Sequence, residues 1–288
     1  MDLDLSPDLL RRLSALRLNV TRRFSGSMRG QRRSPHKGSG MEFADYRMYV
    51  PGDELRYLDW RVYARLDRLY LRQFTLEERM DVYLMIDISG SMGFGKLEMA
   101  ASIAVGAAHV ALSNYDFVWV IPFNNRILPP RRFSSARGAI DLMRRLSDLK
   151  PGGDTDLSRS LAQFVRRSPR PGLLFLISDL LDPKGFSEPL KYLLYNRFEV
   201  NLIQVLASEE LNPYLSGELR LVDAETGEAR EITADEESLG EYRRRIERFR
   251  REVEEFCEER HIRYLLAETD VPLERILIEG FRRARIFL

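Results

Sequence analysis

Residues 81–92, DVYLMIDISGSM, decide the fold of this chain. The run from Val82 to Ile86 is apolar, with β-branched and aromatic members, and predicts a buried strand that stops at an acid and two hydroxyls. Asp87, Ser89 and Ser91 are spaced two residues apart, so an extended backbone would turn all three side chains the same way. The sequence therefore predicts a cluster of oxygen atoms at the end of a buried strand.

The chemistry of this cluster favours a divalent cation. Carboxylate and hydroxyl oxygens are hard donors that suit Mg²⁺ or Mn²⁺. A glycine-rich turn follows, and a long apolar helix then begins at about Leu97. One carboxylate supplies only part of a coordination sphere, so we expect other loops to complete the site.

Predicted strands and helices alternate from this stretch onward. The strands are predicted at 82–87, 117–121, 173–178, 198–206 and 262–266, and the helices at 97–114, 135–148, 157–167, 185–195 and from about Pro272. Near-continuous apolar strands separated by helices are typical of an α/β fold with a doubly wound, mostly parallel sheet and helices on both faces. The turn at Asn124 and Asn125 predicts an antiparallel edge strand at 126–128.

Composition divides the chain into two parts. Residues 1–80 contain a helix at 6–18, a basic loop and an aromatic, arginine-rich β subdomain, in which we expect ring packing and bidentate Arg–Asp pairs. Residues 81–288 form the α/β domain. A predicted insertion at about 208–260, made of a hairpin and a long amphipathic helix, separates the last two strands of this domain.

The overall composition excludes several classes of protein. The 288 residues are 44% hydrophobic and 31% charged, with a net charge of +1, so no global field favours nucleic acid or a membrane surface. Cys257 is the single cysteine, which rules out an internal disulfide, and we expect it to be a half-buried apolar residue. No apolar run reaches the roughly 18 residues that a membrane span needs. We therefore expect a cytoplasmic protein without a membrane span.

Two further loops carry oxygen donors at the same predicted edge of the sheet, where the carboxyl ends of parallel strands meet. One is the glycine-rich loop from Pro151 to Asp156, and the other follows the strand at 173–178. The five predicted metal ligands are Asp87, Ser89, Ser91, Thr155 and Asp179. Two carboxylates and three hydroxyls leave the cation short of one anionic ligand, so we expect a binding partner to supply a carboxylate around this site.

These five residues resemble the metal-ion-dependent adhesion site of von Willebrand factor type A domains, and the resemblance covers about residues 81–288. It implies that the serines, the threonine and the aspartates ligate a divalent cation, directly or through water.

The upstream sequence resembles a bacterial family labelled domain of unknown function 58. The residues that carry this resemblance are Gly38, Gly40, Glu42, Phe43, Arg47, Tyr49, Pro51, Gly52, Asp53, Arg56, Asp59, Trp60, Ala64 and Arg65. The resemblance implies an adaptor or chaperone-like role beside a MoxR-type AAA+ ATPase. It also implies that the protein acts through protein–protein interaction and is not an enzyme.

Two alternatives remain open from the sequence. The loop from Gly90 to Lys96 is one residue short of the phosphate-binding pattern G-x-x-x-x-G-K, and a nucleotide or phosphate hydrolase would use Lys96 on the phosphates. The basic segment at 11–37 allows nucleic-acid binding, which the near-absence of aromatic residues there disfavours. We name no catalytic residues, because the two loop serines lack a nearby general base.

Overall fold

The computed structural model describes residues 5–21, 41–76, 79–135, 138–168, 170–213, 217–222, 224 and 227–288. The described residues form two compact units. The larger unit contains residues 5–21 together with the chain from Met80 onward, and the smaller unit contains residues 41–76 and Arg79.

The strands and helices follow one another along the chain as the sequence pattern predicts for the larger unit. The strands are β1 Met41–Met48, β2 Tyr70–Leu76, β3 Asp81–Asp87, β4 Phe117–Phe123, β5 Arg131–Phe133, β6 Leu173–Ser178, β7 Glu199–Leu206, β8 Gly217–Val222, β9 Ala229–Ala234 and β10 Arg263–Glu268. The helices are α1 Pro7–Ser14, α2 Trp60–Leu66, α3 Lys96–Ser113, α4 Gly138–Ser147, α5 Leu157–Arg167, α6 Ser187–Tyr195, α7 Ser208–Leu211, α8 Glu236–Glu259, α9 Leu273–Arg275 and α10 Phe281–Arg283, with a π-helical turn at Ile276–Gly280 before α10.

A six-stranded sheet in the order β10-β7-β6-β3-β4-β5 forms the centre of the larger unit. Its strands are parallel except for β5, which pairs antiparallel with β4. The predicted α/β fold is therefore confirmed. Strand β3 has β4 on one side and β6 on the other, so the strand order reverses beside β3, and the crevice outside its carboxyl end is the expected ligand position.

The two faces of the sheet bury two separate hydrophobic cores. Val82, Leu84 and Ile86 point into the core that contains α1, α3 and the C-terminal segment. Tyr83 and Met85 point into the other core, with α5, α6 and α8. This alternation is the two-residue period of a strand. Because β3 is covered on both faces, its end is held rigidly, and so are the residues that follow it.

The antiparallel edge strand lies a few residues later than predicted. The prediction of 126–128 is wrong, since only Ile127 makes an isolated bridge, to Phe123, and the paired strand is β5. The reason is local, because Pro129 and Pro130 have no backbone N–H to donate. The ladder therefore resumes only after the two prolines.

The N-terminal helix α1 belongs to the larger unit, whereas the sequence prediction groups it with residues 1–80. Leu9 and Leu13 of α1 are buried in the core on the α3 face of the sheet. Leu18 makes an antiparallel bridge to Phe287, which joins the two ends of the described chain. Most of the basic segment at 11–37, from residue 22 onward, lies outside the described residues.

The smaller unit confirms the predicted Arg–Asp pairing. Strands β1 and β2 form an antiparallel pair. Arg47 donates two hydrogen bonds to Asp53, at 2.7 and 2.6 Å. Asp59 is buried, caps α2 by accepting from two backbone N–H groups, and accepts further hydrogen bonds from Tyr46 at 2.9 Å and Arg72 at 2.7 Å. The Arg72 guanidinium holds the pKa of Asp59 well below its usual range.

The segment between β7 and β10, which the sequence pattern predicts to be an insertion, contains α7, the hairpin β8–β9 and α8. Helix α8 begins at Glu236, where Asp235 accepts a hydrogen bond from the Ser238 N–H at 2.8 Å and caps the first turn. Cys257 on this helix is fully buried, and burial raises the pKa of its thiol to about 12. Among the helices within the described residues, none is long and apolar enough to cross a membrane.

Candidate metal centre

Asp87, the last residue of β3, stands at the carboxyl end of the sheet and is fully buried. Its Oδ1 accepts a hydrogen bond from the Ser89 N–H at 2.9 Å, and its Oδ2 accepts one from the Ser178 hydroxyl at 2.6 Å. Ser178 is the last residue of β6, the neighbouring strand. Both hydrogen-bond donors are neutral, so they orient the carboxylate without neutralising its charge.

The electrostatics of Asp87 are those of an anion that lacks a counter-charge. Burial raises its pKa, and the negative charge of Asp179 raises it further. The hydrogen bonds from Ser178 and Ser89 act in the opposite direction, and the resulting pKa is about 7. A cation placed beside this carboxylate would stabilise the ionised form and reverse the cost of its burial.

Ser89 and Ser91 lie directly after Asp87, as the sequence predicts. Their hydroxyl oxygens are 3.0 Å apart, and the Ser89 side chain is fully buried. A 3₁₀ turn at Gly90–Met92 carries the chain from strand to helix. Because Met92 is buried in the core beneath this turn, the two hydroxyls are held in place and not on a free loop.

Backbone hydrogen bonds fasten the second predicted loop to the first. The Gly152 N–H donates to the Ile88 carbonyl at 2.8 Å, and the Gly90 N–H donates to the Gly153 carbonyl at 2.9 Å. Gly153 has a φ of +82°, which favours glycine. Thr155, the predicted ligand on this loop, is buried two residues later. The structure therefore brings the segment that carries Thr155 against the segment that carries the serines.

Asp179 follows β6 and is also fully buried. Its effect on the pKa of Asp87 shows that the two carboxylates are electrostatic neighbours. Its Oδ1 accepts a hydrogen bond from the Leu181 N–H at 3.1 Å, and its Oδ2 lies 2.8 Å from Nζ of Lys96. Lys96 also donates to Glu210 at the start of the insertion. The sequence prediction includes Asp179 but misses its partner Lys96, and it misses Ser178 and Glu210 as well.

The position of Lys96 contradicts the phosphate-binding alternative. Its side chain is fully buried, and its ammonium group is held by two carboxylates. A phosphate-binding lysine must instead offer its ammonium group to an external ligand. The loop from Gly90 to Lys96 is therefore a structural turn into α3 in this arrangement.

The donor set fits a magnesium or manganese ion, although it is not a cluster of acids. Within the described ranges of the chain, no group of three or more His, Cys, Asp or Glu side chains is placed to hold a metal. The candidate donors are one uncompensated carboxylate, a second carboxylate beside it, and hydroxyl groups on two fastened loops. Hard oxygen donors of this kind, with few charges, suit a cation that keeps some of its water.

An open groove of about 440 Å³ lies beside the turn that follows Ser91. Its lining includes Met92, Phe94 and Leu97 from one side and Leu149 and Pro151 from the other. Phe94 is 77% exposed and has a φ of +52°, a backbone conformation that is rare for an aromatic residue. An exposed phenyl ring on a strained backbone, next to a candidate binding site, is a feature expected of a contact surface.

Comparison with known sequences gives a family and several relatives. The family model described as "Protein of unknown function DUF58" matches residues 45–255. An uncharacterized protein of Mycobacterium bovis is 27% identical over 243 residues, which is 81% of this chain and 76% of the relative. An uncharacterized protein of Mycobacterium tuberculosis matches with the same identity and coverage.

Solved structures with a related shape include two bacterial proteins. The conserved hypothetical protein BatB from Bacteroides thetaiotaomicron aligns with a TM-score of 0.42 and 16% identity, over 71% of this chain and 98% of that chain. A von Willebrand factor type A protein from Catenulispora acidiphila aligns with a TM-score of 0.40 and 15% identity, over 75% of this chain and 43% of that chain.

Proposed function

The chain belongs to the family "Protein of unknown function DUF58", and from that premise we propose that it is a non-enzymatic protein-interaction module whose binding depends on a divalent cation. The ion is Mg²⁺ or Mn²⁺, held by Asp87, Ser89 and Ser91 with Thr155 and Asp179. The observation that carries this proposal is Asp87, a buried carboxylate with only neutral hydrogen-bond donors and a second carboxylate as its neighbour.

The chemistry of the site supports an interaction role over catalysis. Ser89 and Ser91 form a hydrogen bond with each other. In the described part of the chain, the histidine side chain that forms hydrogen bonds is that of His109, which contacts Ser14 and the Leu10 carbonyl on the α1 side of α3. A serine nucleophile needs a base within hydrogen-bond reach, and among the described residues no histidine forms a hydrogen bond with Ser89 or Ser91. When bound, the cation would act as an electrophile that attracts an anionic group.

The expected partner is a protein that presents an Asp or Glu side chain to the cation. The resemblance described above points to a MoxR-type AAA+ ATPase, and the single cysteine fits the cytoplasm. The groove beside Phe94 gives such a partner an apolar surface next to the ion. A carboxylate bound to the ion would orient the partner, and apolar contact in the groove would add affinity.

The test compares the wild-type protein with Asp87→Ala. We expect calorimetric titration with Mn²⁺ to show saturable binding to the wild type and none to the variant, with both proteins folded by circular dichroism. Capture of a partner from native lysate should fail for Asp87→Ala and for the wild type in chelator. Equal heats of Mn²⁺ binding for the two proteins would overturn the assignment.

A second variant separates the groove from the ion. Phe94→Ala removes an exposed ring, so we expect unchanged Mn²⁺ binding and weaker capture of the partner. If Phe94→Ala captures the partner as well as the wild type does, the groove is not part of the contact surface, and only the ion-dependent part of the proposal stands.

A further inference from the structure

Lys96 is a buried charge that the proposed function does not use. It is the first residue of α3, and none of its side chain is exposed. Lysine is almost never fully buried without partners, and a cation at a helix N-terminus opposes the helix dipole. The position of Lys96 therefore does not stabilise α3, and the groups around its ammonium must account for it.

Two carboxylates hold the Lys96 ammonium group. Nζ lies 2.8 Å from Oδ2 of Asp179 and also donates to Glu210. Burial acts to lower the pKa of Lys96, but the negative charges of Asp179 and Glu210 outweigh this effect and raise it. Because both partners of Nζ are carboxylate oxygens, which accept hydrogen bonds, this geometry fits the ammonium form of Lys96, inside the protein and beside a proposed ligand of the cation.

Asp179 is shared between Lys96 and the candidate metal centre. One of its oxygens binds Lys96, and its charge acts on Asp87. With all groups ionised, the carboxylates of Asp87, Asp179 and Glu210 and the ammonium of Lys96 sum to a formal charge of −2. A divalent cation matches this charge, but Lys96 repels it and competes with it for the same carboxylate.

The second carboxylate that holds Lys96 belongs to the insertion. Glu210 lies on α7, where its other oxygen accepts a hydrogen bond from the Ala207 N–H at 2.9 Å. Helix α8 is close to this ion pair, because burial and then the charge of Glu210 raise the pKa of Tyr242 on that helix. The ammonium group therefore connects Asp179, a proposed metal ligand just after β6, with α7, the first element of the predicted insertion.

We propose that Lys96 is an internal counter-charge that weakens cation binding at the metal centre, and that Glu210 limits this effect by sharing the ammonium group. The inference rests on the proposed cation site and adds its regulation. Lys96 keeps the affinity of the isolated site low, so that the carboxylate of a partner is needed for tight binding. Movement of the insertion would change the site through Glu210, since an ammonium released by Glu210 binds Asp179 alone.

Two substitutions test the direction of the effect by titration of the full chain with Mn²⁺. Lys96→Met removes the competing charge at similar volume, and we expect the affinity for Mn²⁺ to rise about tenfold or more. Glu210→Gln removes the charge that competes with Asp179 for the ammonium group, so Lys96 binds Asp179 more strongly and we expect the affinity to fall about threefold or more. Lys184→Met is the matched control, because Lys184 is a solvent-exposed lysine that pairs with Asp156, and it should leave the affinity unchanged.

The thermal stability of the cation-free protein gives the second readout. Lys96→Met leaves the buried Asp179 and the partly exposed Glu210 without their cationic partner, so its Tm in chelator should fall while its Mn²⁺ affinity rises. A merely structural lysine would lower both. If Lys96→Met does not fold, the double variant Lys96→Met with Glu210→Gln restores the formal charge of −2, and we expect it to bind Mn²⁺ at least as tightly as the wild type.

The outcomes separate this inference from the proposed function. A folded Lys96→Met protein, or a folded double variant, that binds Mn²⁺ more weakly than the wild type would overturn the role of Lys96. The role of Lys96 would also be overturned if every Lys96 and Glu210 variant bound Mn²⁺ with the affinity of the wild type. If neither the wild type nor any variant binds Mn²⁺ or Mg²⁺, the proposed function itself fails.

Discussion

Replacement of Asp87 by asparagine should stabilise the cation-free protein while abolishing its response to cations. Asparagine keeps the size of the side chain and still offers an oxygen to the Ser89 N–H, which lies 2.9 Å from Asp87 Oδ1. It removes a charge that is fully buried and next to Asp179. Most substitutions of buried residues destabilise a protein, so a gain in stability would be specific evidence for an uncompensated charge.

The magnitude follows from the pKa of Asp87. Its rise from 3.8 to about 7 corresponds to at most about 4 kcal/mol, at ~1.4 kcal/mol per pH unit. Between these two values the folded protein holds a proton that the unfolded chain has released. Stability therefore falls as the pH rises through this window, and the full cost is present above about pH 7. Asp87→Asn removes this dependence.

Thermal unfolding in chelator at two pH values measures the effect. At pH 8 we expect the Tm of Asp87→Asn to exceed that of the wild type by up to about 8 °C, and at pH 4 we expect the two to agree. Mn²⁺ should raise the Tm of the wild type alone. Asp154→Asn, which removes an exposed carboxylate from the neighbouring loop, serves as the control. An Asp87→Asn protein that is less stable than the wild type by the same margin at both pH values would refute the reasoning.

Further predictions concern the framework that holds the site. Gly172→Ala would place a Cβ atom 2.2 Å from the Asp81 carbonyl, so we expect a loss of about 2 kcal/mol or more in chemical denaturation, whereas Gly152→Ala meets nothing within 4 Å and should be neutral. Burial lowers the pKa of His109, although its hydrogen bond to the Leu10 carbonyl opposes this. Protonation of His109 is therefore less favourable in the folded protein than in the unfolded chain, and the free energy of unfolding should decrease as the pH falls below about 6.5. Below that pH, hydrogen exchange in α1 should become faster in the wild type but not in His109→Gln.

The elements that could be predicted from the sequence are those whose signals are local. Helix α5 begins and ends where the prediction places it, at Leu157 and Arg167. Its N-cap, Asp156, accepts a hydrogen bond from the Arg159 N–H at 2.8 Å, a signal that spans only three residues. The same holds for the order of Asp87, Ser89 and the turn after them, because strand periodicity and glycine placement are properties of short segments.

The parts that were missed depend on contacts distant in the chain. The bonds from Lys96 to Asp179 and Glu210 join residues 83 and 114 positions apart, respectively, and no spacing rule connects them. One signal was available, however. Helix α3 is apolar on all sides, which is typical of a buried helix, so a lysine in its first turn must be buried as well and must have an acidic partner. A buried lysine that is held by two acidic groups does not fit the role of a phosphate ligand.

Two of the buried aspartates, Asp59 and Asp87, differ in a way that favours a cation beside Asp87. Asp59 binds the Arg72 guanidinium at 2.7 Å, and its pKa is lowered. Asp87 receives only neutral donors, and its pKa is raised because burial and Asp179 act without a compensating charge. Lys96 is the nearby cation, yet its hydrogen bonds go to Asp179 and Glu210. Asp59 is therefore paired with a cationic side chain, whereas Asp87 accepts hydrogen bonds only from neutral groups. On the proposed function, we expect a cation from solution to supply the missing charge and to stabilise the folded protein above neutral pH.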